Sequence, residues 1–312
     1  MNLIEGILKD NKLVILDGAL ATELEERGCD INNSLWSATI LAKNPEVIKS
    51  VHYDYFVAGA DCAITASYQA TVRGFVENGY SEDEAKNLIR KSVEIAKEAR
   101  DEFWNEKTNR KDRSYPIVAA SVGPYGAYLA DGSEYVGNYN ISDEELINFH
   151  RDRIKLLVEA DVDILACETI PCLQEAKAIV EVLKEFENVY CWISFSCRNE
   201  REISDGTLIK ECSEFLNSFD KVAAVGINCT PPQYVANLIE EIKLGTDKPI
   251  VVYPNSGEEY DANTKDWHGS SKGCFCESTK LWYEKGARLI GGCCRTTPED
   301  IKNISNWVRT IK

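Results

Sequence analysis

Eight short runs of aliphatic and β-branched residues punctuate the chain, each followed by a helix-length amphipathic stretch. They cover residues 13–19, 61–68, 115–123, 162–169, 189–196, 221–230, 249–256 and 287–294. Interiors such as "IVAA", "DILA", "VAAVGI" and "IVVY" are continuously apolar rather than alternating. Strands of that kind are buried on both faces, as in a parallel sheet covered by helices. The helical stretches have readable starts. Asn44-Pro45 places a cap before a proline at the first helical position. Ser81-Glu82-Asp83-Glu84 and Ser142-Asp143-Glu144-Glu145 read as capping boxes. Thr230-Pro231-Pro232-Gln233 and Thr297-Pro298-Glu299-Asp300 repeat the logic.

Eight strand–helix units without a linker or low-complexity segment predict an α/β chain folded as a single (β/α)8 TIM barrel over residues 1–312. The rival is a doubly wound sheet, which calls for Gly-x-Gly-x-x-Gly after the first strand; Asp17-Gly18-Ala19-Leu20-Ala21 does not supply it. No phosphate-binding loop of the Walker type is present either. One connection stands out: "GPYGAYLADGSEYVGNYN", residues 123–140, is a long glycine- and aromatic-rich loop after the third strand. Long loops in compact barrels are usually functional.

Charge narrows the partners. With 51 acidic against 35 basic residues the net charge is −16, which disfavours nucleic acid and anionic membranes. A cationic substrate and a merely solvated acidic surface both fit. The first residues, Met1-Asn2-Leu3-Ile4-Glu5-Gly6, lack the basic and apolar regions of a signal peptide, and the longest apolar runs are too short to span a bilayer. A cytoplasmic protein is therefore expected. In that reducing compartment the 12 cysteines are not expected to form a disulfide framework.

Active sites of such barrels form where strands end and the following loops begin. Cys229 ends the sixth run, and Cys293-Cys294 end the eighth behind Gly291-Gly292. Adjacent residues on a strand point to opposite faces, so two neighbouring thiols make poor core filler. The glycines are expected to let the backbone bend until the thiols converge. Three thiolates form a soft donor set for Zn²⁺, and three ligands with one vacancy is the catalytic pattern. The bland alternative is a pair of inert cysteines near a strand end. Cys62, Cys167 and Cys191 read as buried strand residues, Cys29, Cys172, Cys197 and Cys212 lack partners at ligand spacing, and Cys274-Phe275-Cys276 reads as structural. His52, His150 and His268 fall on helices or loops and complete no catalytic triad. An open three-thiolate zinc site carries a formal charge of about −1, which suits it to holding an incoming thiol as a nucleophilic thiolate rather than to hydrolysis. Methyl transfer to a thiol fits best.

The segments "LDGALATELEERG", "ITASYQAT", "SVGPYGAYLADGSEY", "ACET", "GINCT", "VVYPNSGE" and "LIGGCCRTTPEDI" together resemble the homocysteine S-methyltransferase family, and within it the bacterial and plant enzymes that use S-methylmethionine as donor. The resemblance runs from about Leu13 to the last helix. It implies a (β/α)8 barrel whose Zn²⁺ is held by Cys229, Cys293 and Cys294 and which makes L-methionine from L-homocysteine. It further implies that Asp17 and Glu168 receive the homocysteine α-amino group and that the Gly18-Ala19 backbone lies near its carboxylate. On the residues alone, Asp17 is equally a turn residue and Glu168 a capping or paired acid. Asn228 is expected to orient the zinc loop or the substrate, with an ordinary turn role as its rival. Thr65, Ser67, Gln69 and Tyr125 are candidates for the donor site, with Trp36, Tyr68, Tyr125 and Tyr128 available to face a cation. The partners expected are small molecules, homocysteine and a sulfonium methyl donor: S-methylmethionine, or S-adenosylmethionine. A betaine donor and a non-catalytic zinc or thiol protein are the alternatives.

Overall fold

The computed structural model describes residues 2–31, 35, 37–261, 266–268 and 275–311. Seven barrel strands come first: β1 (Val14–Ile15), β2 (Cys62–Ile64), β3 (Ile117–Val122), β4 (Ile164–Ile170), β5 (Cys191–Phe195), β6 (Val222–Asn228) and β7 (Ile250–Tyr253). A small antiparallel pair follows, β8 (Glu259–Asp261) with β9 (Asp266–His268), and then the last barrel strand, β10 (Ala287–Ile290). The parallel order is β1-β10-β7-β6-β5-β4-β3-β2. Between its two ends a parallel bridge joins Leu16 to Cys62, Asp17 N–H donates to Cys62 O at 3.0 Å, and Asp61 N–H donates to Ile15 O at 2.7 Å. Those contacts close the ring. The fold is a single (β/α)8 barrel, and the doubly wound alternative, which leaves two free edges, is excluded.

Strand parity explains where the chemistry sits. Side chains alternate between the helix-facing and inward-facing surfaces of each strand. Ile15, Ala120, Leu165, Ile193, Val225 and Val252 pack outward in the layer shared with the helices. Val14, Ala119, Ala166, Trp192, Ala224 and Val251 fill the ring, and Ile4 of the first helix (Leu3–Asp10) joins them at its N-terminal end. Each fully buried Val, Leu or Ile side chain among these stabilises the fold by roughly 1.5–3 kcal/mol. Two or four residues further along the same face the identities become polar: Ser121, Glu168, Ser194, Asn228 and Tyr253. All five are buried. The ring is therefore apolar through its middle and polar at the C-terminal ends of its strands.

The observed strands are shorter than the apolar runs, most of all at β1 and β2, although the Asp17 and Thr65 N–H groups just beyond them still donate to Cys62 O and Ala119 O. Capping boxes are present at Ser81, Ser142 and Thr297. Two expected starts differ. Asn44 precedes its helix without a side-chain cap bond. Thr230 is not a cap: the helix is Pro232–Lys243, and the Thr230 hydroxyl instead donates to Asn228 O at 2.8 Å and accepts from Cys197 N at 3.1 Å. The 123–140 loop also contains a short helix, Tyr125–Leu129, and a 3₁₀ turn, Ser133–Tyr135. His268 lies in β9 rather than in a helix or loop. No helix among the described residues is long and apolar enough to cross a membrane.

Candidate active site

Cys229 follows β6, and Cys293-Cys294 follow β10, with only β7 between them. Their sulfurs converge: Cys229 to Cys293 is 3.4 Å, Cys229 to Cys294 is 3.6 Å, and Cys293 to Cys294 is 3.9 Å. Tetrahedral zinc with Zn–S bonds of about 2.3 Å spaces its sulfurs about 3.8 Å apart, so the trio fits that ion in donor type and spacing. Among the described residues it is the one group of three Cys, His, Asp or Glu side chains whose ligand atoms converge in this way. Cys276 instead meets Asn303 O at 3.5 Å, and Cys274 lies outside the described residues.

The convergence is built differently from the sequence expectation. Neither Gly291 nor Gly292 adopts a positive φ; the left-handed residues are Cys229 (φ 49°) and Arg295 (φ 66°). The glycines serve close approach: a Cβ on Gly292 would lie 2.3 Å from Thr296 Oγ1. That hydroxyl ties the turn together, donating to Cys293 O at 2.6 Å and accepting from Ala19 N at 3.2 Å. Cys293 N donates to Pro254 O at 2.8 Å, and Cys294 O accepts from Ser256 N at 3.0 Å. Hydrogen bonds from Cys293 and Cys294, opposed by burial and assisted by the Tyr135 hydroxyl at 3.4 Å, hold the Cys229 thiol well below the ordinary range. The bond to Cys229 pushes the other two thiols up. A bound cation would favour the deprotonated form of all three thiols.

A cavity of about 170 Å³ opens beside the sulfurs. Its lining includes Asp17, Gly18, Ala19, Thr65, Glu168, Asn228 and the three cysteines, nine of the twelve residues expected from the sequence. Asp17 is 3% exposed and Glu168 8%. Asp17 Oδ2 accepts from Ile64 N at 2.8 Å, and Glu168 Oε1 accepts from the Ser121 hydroxyl. Burial pushes Asp17 well above the usual carboxylate range, against the Ile64 bond and with help from the neighbouring Glu168. Burial likewise pushes Glu168 up to about 8, opposed by Ser121 and reinforced by Cys293. Both carboxyls resist ionisation on their own, and a cation with N–H donors placed between them would favour their charged forms. At the Gly18-Ala19 turn the Ala19 N–H is engaged by Thr296, so that amide is not free for a substrate carboxylate. Asn228 is engaged through both of its amide ends: Oδ1 accepts from Thr169 N at 2.7 Å and Ser194 Oγ at 2.9 Å, while Nδ2 donates to Thr169 Oγ1 at 2.7 Å.

Three expected donor-site residues do not line the cavity. The Ser67 hydroxyl is spent on Ser121 O at 2.7 Å and shares a 2.7 Å contact with Thr65. Gln69 Nε2 donates to Ala127 O at 2.9 Å. Tyr125 turns into an aromatic cluster with Tyr128, Tyr139 and Phe149. Of the aromatics expected to face a cation, Tyr68 lines the cavity, Tyr128 is bound to Glu77 at 2.9 Å, and Trp36 lies outside the described residues. Other cavity residues were not anticipated, notably Tyr253, Glu134 and Tyr135. Tyr253 was legible by parity, two residues beyond the inward Val251. Glu134 and Tyr135 sit in a loop turn without a periodic signal, and only the loop's length and composition pointed to them.

Comparison with known proteins agrees with this geometry. Residues 14–308 match the family model for homocysteine S-methyltransferase. The chain is 61% identical to homocysteine S-methyltransferase YbgG of Bacillus subtilis, with 100% of this chain and 99% of that one covered. It is 47% identical to the homocysteine S-methyltransferase of Escherichia coli over 96% of each. A solved structure of the E. coli homocysteine methyltransferase MmuM in its metallated form superposes with a TM-score of 0.88 at 44% identity, covering 97% of this chain and 99% of that chain. The barrel, its three-cysteine rim and these likenesses converge on one conclusion: the chain belongs to the homocysteine S-methyltransferase family.

Proposed function

We propose that this methyltransferase moves a methyl group from a sulfonium donor, S-methylmethionine in preference to S-adenosylmethionine, to the sulfur of L-homocysteine. The observation that carries the reading is a triangle of thiols with edges of 3.4, 3.6 and 3.9 Å beside two buried carboxyls in one cavity. Cys229, Cys293 and Cys294 would hold Zn²⁺, which when bound supplies a soft Lewis-acidic position that keeps a thiol ionised near neutral pH.

The chain's own groups do the rest. Asp17 and Glu168 take the homocysteine ammonium, and Glu168 releases its proton to solvent as that cation arrives, regaining it when the product leaves. This fixes the acceptor and directs its sulfur towards the cysteines. Asn228 and Thr169 hold the frame that joins Glu168 to Cys229. The homocysteine sulfur, as thiolate, forms a new bond to the donor methyl carbon. The old C–S bond breaks in line, its electron pair returning to the donor sulfur, which leaves as a neutral thioether. With S-methylmethionine the products are two methionines and the proton released from the thiol. A sulfonium carries its own leaving group, so positioning and nucleophile activation suffice and no general acid is required. The 11 described cysteines are all free thiols, which suits a reducing, cytoplasmic setting.

The test is a donor panel. Measuring kcat/KM for S-methylmethionine, S-adenosylmethionine and glycine betaine with homocysteine under identical conditions should give that order, with betaine essentially unused. Betaine as the best donor overturns the donor reading and leaves the acceptor chemistry standing.

A further inference from the structure

Both substrates of the proposed reaction carry an α-ammonium group, and the Asp17–Glu168 pair accounts for only one of them. The cavity holds a further carboxylate, Glu134, at the turn after the Tyr125–Leu129 helix. Its Oε2 is buried and has no hydrogen-bond partner among the described residues. Buried acceptors are nearly always satisfied, so an unpartnered one on a side chain that lines the cavity points to an N–H donor supplied when a ligand binds.

The turn is held in place. Glu134 O accepts from Ser196 Oγ, at the end of β5, at 3.1 Å. On its other side a Cβ on Gly126 would lie 2.3 Å from Glu134 N, so only glycine permits this contact. The next residue, Tyr135, brings its hydroxyl within 3.4 Å of Cys229 Sγ. Glu134 is thus fixed relative to the sulfurs where the methyl group is exchanged, and Tyr68, on which its charge acts, also lines the cavity.

We propose that Glu134 Oε2 receives the α-ammonium of the methyl donor, making the enzyme selective for sulfonium amino acids over methyl donors that lack an N–H. The assignment rests on the sulfonium reading above and adds a residue to it. An ammonium satisfies the open acceptor and neutralises the carboxylate. A betaine or a simple trialkylsulfonium neutralises it without donating a hydrogen bond, leaving the oxygen unsatisfied.

The experiment crosses a variant with a substrate change. S-Methylmethionine and its analogue without the α-amino group are compared, by calorimetric binding and by kcat/KM, in the zinc-loaded wild type, Glu134→Ala and the isosteric Glu134→Gln. Glu134→Ala should weaken S-methylmethionine about 10- to 100-fold and leave the des-amino analogue and homocysteine within about twofold, the span expected for one charge-assisted hydrogen bond. Glu134→Gln should fall between, and it carries the comparison if the alanine variant does not fold. Equal weakening of both donors, no change in either, or an effect confined to homocysteine overturns the assignment. A wild type that uses betaine and neither sulfonium overturns the functional reading as well, a result distinct from unchanged discrimination in an active variant.

Discussion

Asn228 grips Thr169 at two points: Thr169 N–H donates to Asn228 Oδ1 at 2.7 Å, and Asn228 Nδ2 donates to Thr169 Oγ1 at 2.7 Å. Thr169 has φ 59°, a left-handed conformation that a β-branched residue rarely adopts. The grip spans β5, linking the residue after Glu168 to the residue before Cys229. Asn228→Ala should therefore cost about 2–4 kcal/mol of stability, from three lost buried hydrogen bonds, two of which hold Thr169 in its left-handed conformation. It should also raise the homocysteine KM. Adding Thr169→Gly should recover about 1 kcal/mol by removing the left-handed penalty. Urea unfolding of the single and double variants checks this; strictly additive effects would show that the two residues are uncoupled.

Glu168 makes the site sensitive to pH. Its folded pKa, about 8, lies above the usual carboxylate value, so the neutral form favours the folded state. That stabilisation is complete below the unfolded value and is lost as pH rises through about 8. Between pH 6 and 9 the substrate-free wild type should lose on the order of a few kcal/mol more stability than Glu168→Gln.

Over the same interval the wild type should bind homocysteine more tightly as Glu168 ionises. Glu168→Gln should flatten this profile and weaken homocysteine about 10- to 100-fold, with zinc content unchanged. A variant with wild-type homocysteine KM and kcat at every pH would reduce Glu168 to a structural residue.

His52 supplies an acid limit. It is fully buried in the helix Pro45–Ala58, and neither ring nitrogen has a partner among the described residues. Burial pushes its pKa down from 6.5 to about 4. The stability that depends on a neutral ring is present above pH 6.5 and lost as pH falls through about 4. His52→Leu should reduce the loss of stability between pH 7 and 4.5 by about 2–3 kcal/mol, read from unfolding curves at the two values. Parallel pH profiles for the two proteins would contradict this.

The barrel was legible because parallel strands covered on both sides leave uninterrupted apolar runs, whichever helices they pack against. The rim was legible where a strand end carries chemistry directly, as at Asp17, Glu168, Asn228, Cys229, Cys293 and Cys294. Beyond the strand ends the local pattern no longer encodes direction. Ser67, Gln69 and Tyr125 lie close in sequence to β2 and β3, yet their side chains are taken up by Ser121, Ala127 and an aromatic cluster. Glu134 enters the cavity through tertiary contacts with Ser196 and Gly126, which no periodicity reveals. Gly291-Gly292 correctly marked a special turn, but its cause is crowding by Asp17 O and Thr296 rather than an unusual φ.

The central claim is a three-thiolate metal site that accepts homocysteine sulfur, and zinc-edge X-ray absorption of the purified protein with and without homocysteine tests it most directly. The expected result is about one zinc per chain with three sulfur neighbours near 2.3 Å, rising to four when homocysteine is added. Nitrogen- or oxygen-dominated coordination, or a sulfur count that homocysteine leaves unchanged, would contradict the assignment of Cys229, Cys293 and Cys294 as the site at which the acceptor thiol is held.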